Sequence, residues 1–169
     1  MQIAIIGSNT HSCSSQLYNT VYQFGIKLAP FKYIIITGGM GGIMEAVSKG
    51  IYETKDRKCT VIGILPGIDR SEGNQYLDIA IPTGIGYARN SILIASADVV
   101  IAFGGGAGTL SEIAFAWQFS KTVFCFELDE GWSKQLANVD LDGRKKGLLV
   151  GFSSIDELMN KLMAFKQDN

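Results

Sequence analysis

The stretch Val99-Val100-Ile101-Ala102-Phe103-Gly104-Gly105-Gly106-Ala107-Gly108-Thr109-Leu110-Ser111-Glu112 decides how this chain folds. Its apolar half, read as a strand over Asp98–Phe103, is continuous rather than alternating, so both faces must be covered. A glycine cluster follows, and then a segment with helical spacing over Thr109–Phe119. Strand, glycine turn and helix in that order form the opening half of a βαβ unit.

Working outward, the same alternation recurs. Short β-branched runs occur at Ile3–Ile6, Tyr33–Ile36, Val61–Leu65, Asp78–Ile81 and Val123–Phe126. Between them lie helical segments at Ser14–Leu28, Gly42–Thr54 and Tyr87–Ser96, with a last one at Ile155–Phe165, where Ser154 and Glu157 have capping-box spacing. The pattern predicts an α/β protein: a doubly wound, mostly parallel Rossmann-like sheet with helices on both faces, folded as a single domain over residues 1–169. The polar stretch Glu127–Gly151, broken by Gly131, Gly143 and Gly147, shows no period and reads as a mobile surface excursion.

Composition narrows the function. Hydrophobic residues make up 47% of the chain, enough for a sizeable core, and 15 basic side chains nearly balance 16 acidic ones, so no broad positive field marks it for nucleic acid. Cys13, Cys59 and Cys125 are too scattered for a zinc motif and too few for a disulfide framework, which fits a reduced cytoplasm. No stretch approaches the ~20 apolar residues of a membrane span.

Two glycine clusters carry the chemistry. One is Thr37-Gly38-Gly39-Met40-Gly41-Gly42-Ile43-Met44 after the second strand, and the other is Gly104-Gly105-Gly106-Ala107-Gly108-Thr109 after the fifth. Glycine lets backbone approach a ligand closely, and the helix that follows offers unpaired N–H groups, a combination suited to phosphate. Gly7 and Ser8 after the first strand add a third turn, and carboxyl ends of parallel strands share one edge, so the three can converge. Neither cluster matches G-x-G-x-x-G or G-x-x-x-x-G-K-[ST], which disfavours a nicotinamide dehydrogenase or an ordinary ATPase.

Arg89-Asn90, then Ala97-Asp98, the buried strand, Gly105-Gly106-Ala107-Gly108-Thr109 and Glu112 resemble the LOG-type, "lysine decarboxylase-like" superfamily, whose signature is roughly PGGxGTxxE. Gly104 stands where those enzymes usually have proline, and Asn90 where they usually have lysine. The wording GGMGGIMEA, ILPG, ARN and GGGAGTLSEIA is closer to the branch that includes the molybdenum cofactor carrier proteins. The resemblance implies a phosphorylated, nucleotide-like or pterin-type ligand held by Gly7, Ser8, Gly38, Gly39, Met40, Gly41, Gly42, Met44, Arg89, Asn90, Gly105, Gly106, Ala107, Gly108, Thr109 and Glu112. It implies no required cofactor and no metal, molybdenum cofactor or a nucleoside monophosphate being the bound ligand instead. It also implies a homodimer or higher homo-oligomer through the Thr109–Phe119 helix.

Two functions remain open at this point: a binding or carrier protein, which is preferred, and a nucleoside 5'-monophosphate phosphoribohydrolase releasing free base and ribose 5-phosphate. In the second, Arg89 and Glu112 would be catalytic. From spacing alone Glu112 also fits a capping box with Thr109, and Arg89 a surface ion pair. On a helical wheel Leu110, Ile113, Ala114 and Trp117 form one apolar stripe, with Phe115, Ala116 and Phe119 opposite. Glu45, four residues before Lys49, reads as helix support, and His11 as a solvated loop residue. Tyr76 and Tyr87 flank the loop before Arg89, where an aromatic ring could stack on a planar ligand.

Overall fold

The computed structural model describes residues 1–143 and 147–168. Seven strands, β1 (Gln2–Gly7), β2 (Ile34–Thr37), β3 (Thr60–Leu65), β4 (Ile79–Pro82), β5 (Val99–Phe103), β6 (Thr122–Phe126) and β7 (Leu148–Phe152), form one sheet in the order β4-β3-β2-β1-β5-β6-β7, every neighbouring pair parallel. Among the described residues five α-helices lie between strands, α1 (Ser15–Leu28), α2 (Ile43–Tyr52), α3 (Arg89–Ala95), α4 (Ala107–Gln118) and α5 (Trp132–Leu136), and a sixth, α6 (Ile155–Asp168), follows β7. The strand order runs outward in both directions from β1 and β5, so a crevice opens above their carboxyl ends.

The sheet is covered on both sides, as its continuous apolar strands require. Ile3 and Ile5 of β1, with Val99, Ile101 and Phe103 of β5, pack under α1, α2 and α6; Ala4, Ile6, Val100 and Ala102 face α3, α4 and α5. Helix α1 fits its side by spacing: Leu17, Val21, Phe24 and Leu28 are all buried, and the Ser14 hydroxyl accepts the Leu17 amide at 3.0 Å to cap it. Pro82 is tolerated because β4 is an edge strand. At α6 the Glu157 amide donates to the Ser154 hydroxyl at 3.2 Å, so that predicted cap forms.

Two sequence expectations are corrected. The stretch Glu127–Gly151 is no featureless excursion. It contains α5 and most of β7, which pairs with β6 from Thr122↔Leu148 to Phe126↔Phe152. The strand has only five residues and carries Gly151 inside it, so no period could register. The wheel for α4 also misplaced Ala116. It lies three residues after Ile113 and is buried with Ile113 and Trp117, whereas Ala114 is exposed. Phe119 is exposed at the end of α4 and stacks on the half-buried Phe115, ring centres 5.9 Å apart.

Candidate functional site

Above β1, β2 and β5 lies a cleft of about 550 Å³. The two glycine turns meet here, and Ser8 joins them. Its hydroxyl accepts the Gly105 amide at 2.9 Å, its carbonyl accepts the Ile43 amide at 3.0 Å, and its own amide donates to Phe103 at 3.1 Å. Ser8 is buried and does not line the cleft; it sets the distance between its two walls.

The first wall, Gly38–Gly42, is shaped by packing. Gly42 has φ +71° and ψ −135°, and a Cβ there would lie 2.4 Å from the Ser8 carbonyl oxygen. A side chain on Gly38 would meet the Arg89 guanidinium at 2.4 Å. Asn74, far away in sequence, fixes the turn by donating from Nδ2 to the carbonyls of Gly39 at 3.1 Å and Met40 at 3.0 Å. Gly38, Gly41, Met40 and Met44 face the cleft, whereas Gly39 and Gly42 do not. Glu45 sits in the first turn of α2, its carboxylate accepting the Tyr18 hydroxyl at 3.1 Å, which makes this helix start unfavourable for an anion.

The second wall divides into a fixed half and an open half. The Gly104 amide donates to the Ser133 hydroxyl at 2.7 Å, Ser133 in turn donates to the Phe126 carbonyl at 2.8 Å, and Ser8 holds Gly105. Gly104 has φ +60°, a conformation and a donor that proline cannot supply, so Ser133 and Gly104 together account for the departure from the PGG wording. Beyond them the chain opens. Gly106, Ala107 and Gly108 are exposed, and a Cβ on Gly106 or Gly108 would meet nothing within 4 Å. Helix α4 begins at Ala107 with no side-chain cap, leaving the amides of Gly106 through Thr109 with no partner among the described residues. This rules out the capping-box reading of Glu112, which lies in the second turn.

At the back of the cleft Arg89 and Glu112 form an ion pair, Nη1 to Oε1 3.2 Å, with side-chain exposures of 8% and 9%. Arg89 is therefore no surface residue. Burial pushes the Glu112 carboxyl up to about 7, overcoming the opposing pull of the Arg89 guanidinium. Burial also lowers the guanidinium's own pKa. Among the described residues two buried side-chain atoms have no hydrogen-bond partner, Arg89 Nε and Asn90 Oδ1, and both residues line the cleft. On the rim stand Asn9, Thr10, His11 and Ser12, and the ring of Tyr87, 84% exposed. Tyr76 does not reach the site; it packs on Tyr52 with ring centres 5.7 Å apart. Asn74 and Ser133 escaped the sequence reading because only the fold brings them to the loops.

These features define a Rossmann-like α/β protein with a glycine-walled cleft at the switch point of its sheet. The chain belongs to the SLOG cluster4 family, whose profile matches residues 1–159. It is 41% identical over 123 residues to a protein of Archaeoglobus fulgidus, 73% of this chain and 78% of that one. Among solved structures it resembles the molybdenum cofactor binding protein of the phototrophic bacterium Rippkaea orientalis, with TM-score 0.83 and 32% identity over 96% of this chain and 95% of that one. It also resembles the molybdenum cofactor carrier protein of Chlamydomonas reinhardtii, with TM-score 0.82 and 25% identity over 98% of each chain. Among the described residues no helix is long and apolar enough to cross a membrane.

Proposed function

We propose that this protein binds a phosphorylated heterocycle, of nucleotide or pterin type, in the manner of a small-molecule carrier. The observation that carries the reading is the uncapped start of α4, where four consecutive amides have no partner among the described residues and Gly106 and Gly108 border open space at the helix's positive end. The phosphate belongs there. The flat ring belongs across the cleft, against Met40, Met44 and Tyr87, which offer polarizable and aromatic surface. The similarity to a molybdenum cofactor binding protein and a carrier protein supports a pterin. Such a ligand would be cargo, with Arg89 and Asn90 holding it and little chemistry done. Phe115 and Phe119, with the exposed Ile92 of α3, support pairing of two copies through α4.

A second reading rests on the Arg89–Glu112 pair. A carboxyl raised to about 7 and lining a phosphate cleft is suited to proton transfer or to stabilising a cationic ribose, the chemistry of N-glycosidic hydrolysis of a nucleoside monophosphate. Glu112 would then be a catalytic residue. Mass spectrometry of the protein as purified, alongside base release from a panel of nucleoside monophosphates, separates the two. A co-purifying phosphorylated pterin or nucleotide without turnover is the expected result; turnover abolished in Glu112→Gln would instead establish the hydrolase.

A further inference from the structure

The hydrogen bonds around Asn90 define which way its amide is turned. The Ser111 hydroxyl donates to the Gly108 carbonyl at 2.7 Å, so it can only accept from Asn90, whose Nδ2 reaches it at 2.9 Å and leans toward the same carbonyl at 3.5 Å. Turning the amide over would set two acceptors against each other at Gly108. The acceptor Oδ1 is thereby committed to the other side, where it is buried, lines the cleft and has no partner. Asn90 is 3% exposed. A buried acceptor left unmet costs free energy, which a ligand donor would restore.

Resting on the phosphate-binding reading above, we propose that Asn90 is the specificity-determining residue of the cleft: its Oδ1 selects, among phosphorylated ligands, those carrying a hydroxyl or N–H donor close to the phosphate. The position follows from the anchor. Nδ2 is tied to Ser111 and Gly108 in the first two turns of α4, beside the amides that face the phosphate, and the two polar atoms of one amide share a carbon. The donor therefore belongs to the part of the ligand adjoining the phosphate, while the far heterocycle lies against Met40 and Tyr87. A lysine at this position, which the related enzymes usually have, would be a donor only and would make the opposite selection.

The test is a calorimetric titration of the whole protein with three probes: inorganic phosphate, adenosine 5'-monophosphate and its 2',3'-dideoxy counterpart, the nucleotides checked by chromatography to remain intact. The expected result is that the ribonucleotide binds about tenfold or more tightly than the dideoxy compound, because the latter leaves Oδ1 unmet. In Asn90→Asp, which keeps an acceptor, both bind more weakly but the ratio persists; in Asn90→Leu the ratio collapses toward one. Equal affinity of the wild-type protein for the two nucleotides overturns the proposal, as does a ratio unchanged in Asn90→Leu. Phosphate bound with both nucleotides excluded overturns it while leaving the anion site intact. No binding of any probe overturns the phosphate reading and this inference together.

Discussion

The two glycine turns look alike in sequence and do different work. In Gly38–Gly42 the protein's own packing occupies the space beside the glycines: Gly42 has a left-handed backbone pressed against Ser8, and a side chain on Gly38 would have to displace the Arg89 guanidinium. In Gly104–Gly108 the first two positions are likewise held, by Ser133 and Ser8, but Gly106 and Gly108 border empty space. Glycine can serve close packing or ligand access, and what a Cβ would touch tells the two apart.

The largest effect is expected of Gly42→Ala. It adds strain in a glycine-only conformation to a backbone clash, and the expected loss is about 3 kcal/mol or more, read by urea unfolding. A loss under about 1 kcal/mol would show the first turn to be no more constrained than an ordinary loop. Next comes Gly104→Pro, which removes both the positive φ and the donor to Ser133; a cost of about 2–4 kcal/mol is expected, with Ser133→Ala costing about 1–2. If the proline is tolerated, Ser133 does not hold this loop.

A smaller effect separates the buried pair from the loops. Glu112 in the folded protein keeps its proton up to about pH 7, whereas in the unfolded chain it releases it in the ordinary carboxylate range. Between those limits the native state binds the extra proton, so this group's contribution to stability falls as pH rises. Glu112→Gln does not titrate. The melting temperature of the wild type relative to Glu112→Gln should therefore fall by on the order of 5 °C from pH 5 to pH 7, and a flat difference would mean the carboxyl is ionised throughout. The smallest effect on stability is expected for Gly106→Ala and Gly108→Ala: within about 0.5 kcal/mol for the first, neutral or slightly stabilising for the second, which lies in a helix, yet with phosphate-ligand affinity reduced about tenfold or more in both.

Much of this was legible in the sequence because it depends on local pattern. Continuous β-branched runs announced a sheet covered on both faces, and strand-glycine-helix order placed both turns at one edge. Arg89, Asn90 and Glu112 were found by motif. What was not legible depends on contacts between distant residues. Ser8 reads as a ligand donor until the fold shows its hydroxyl bonded to Gly105, 97 positions away. Ser133 lies in a stretch with no period, and Asn74 between two strands; neither carries a signal until the pairing of β6 with β5 brings Ser133 to Gly104 and that of β3 with β2 brings Asn74 to Gly39 and Met40. Thr109 and Glu112 have capping spacing, but α4 starts two residues earlier because Ala107 and Gly108 already adopt helical backbone.

The most direct test is an amide-resolved titration of isotope-labelled protein with inorganic phosphate and then a nucleoside monophosphate, followed by nuclear magnetic resonance. The amides of Gly106, Ala107, Gly108 and Thr109 should shift most and those of Gly104 and Gly105 little, with the Gly38–Gly42 turn responding only when the heterocycle is present. Shifts centred on the Gly38–Gly42 turn with phosphate alone, or none at the start of α4, would contradict the account.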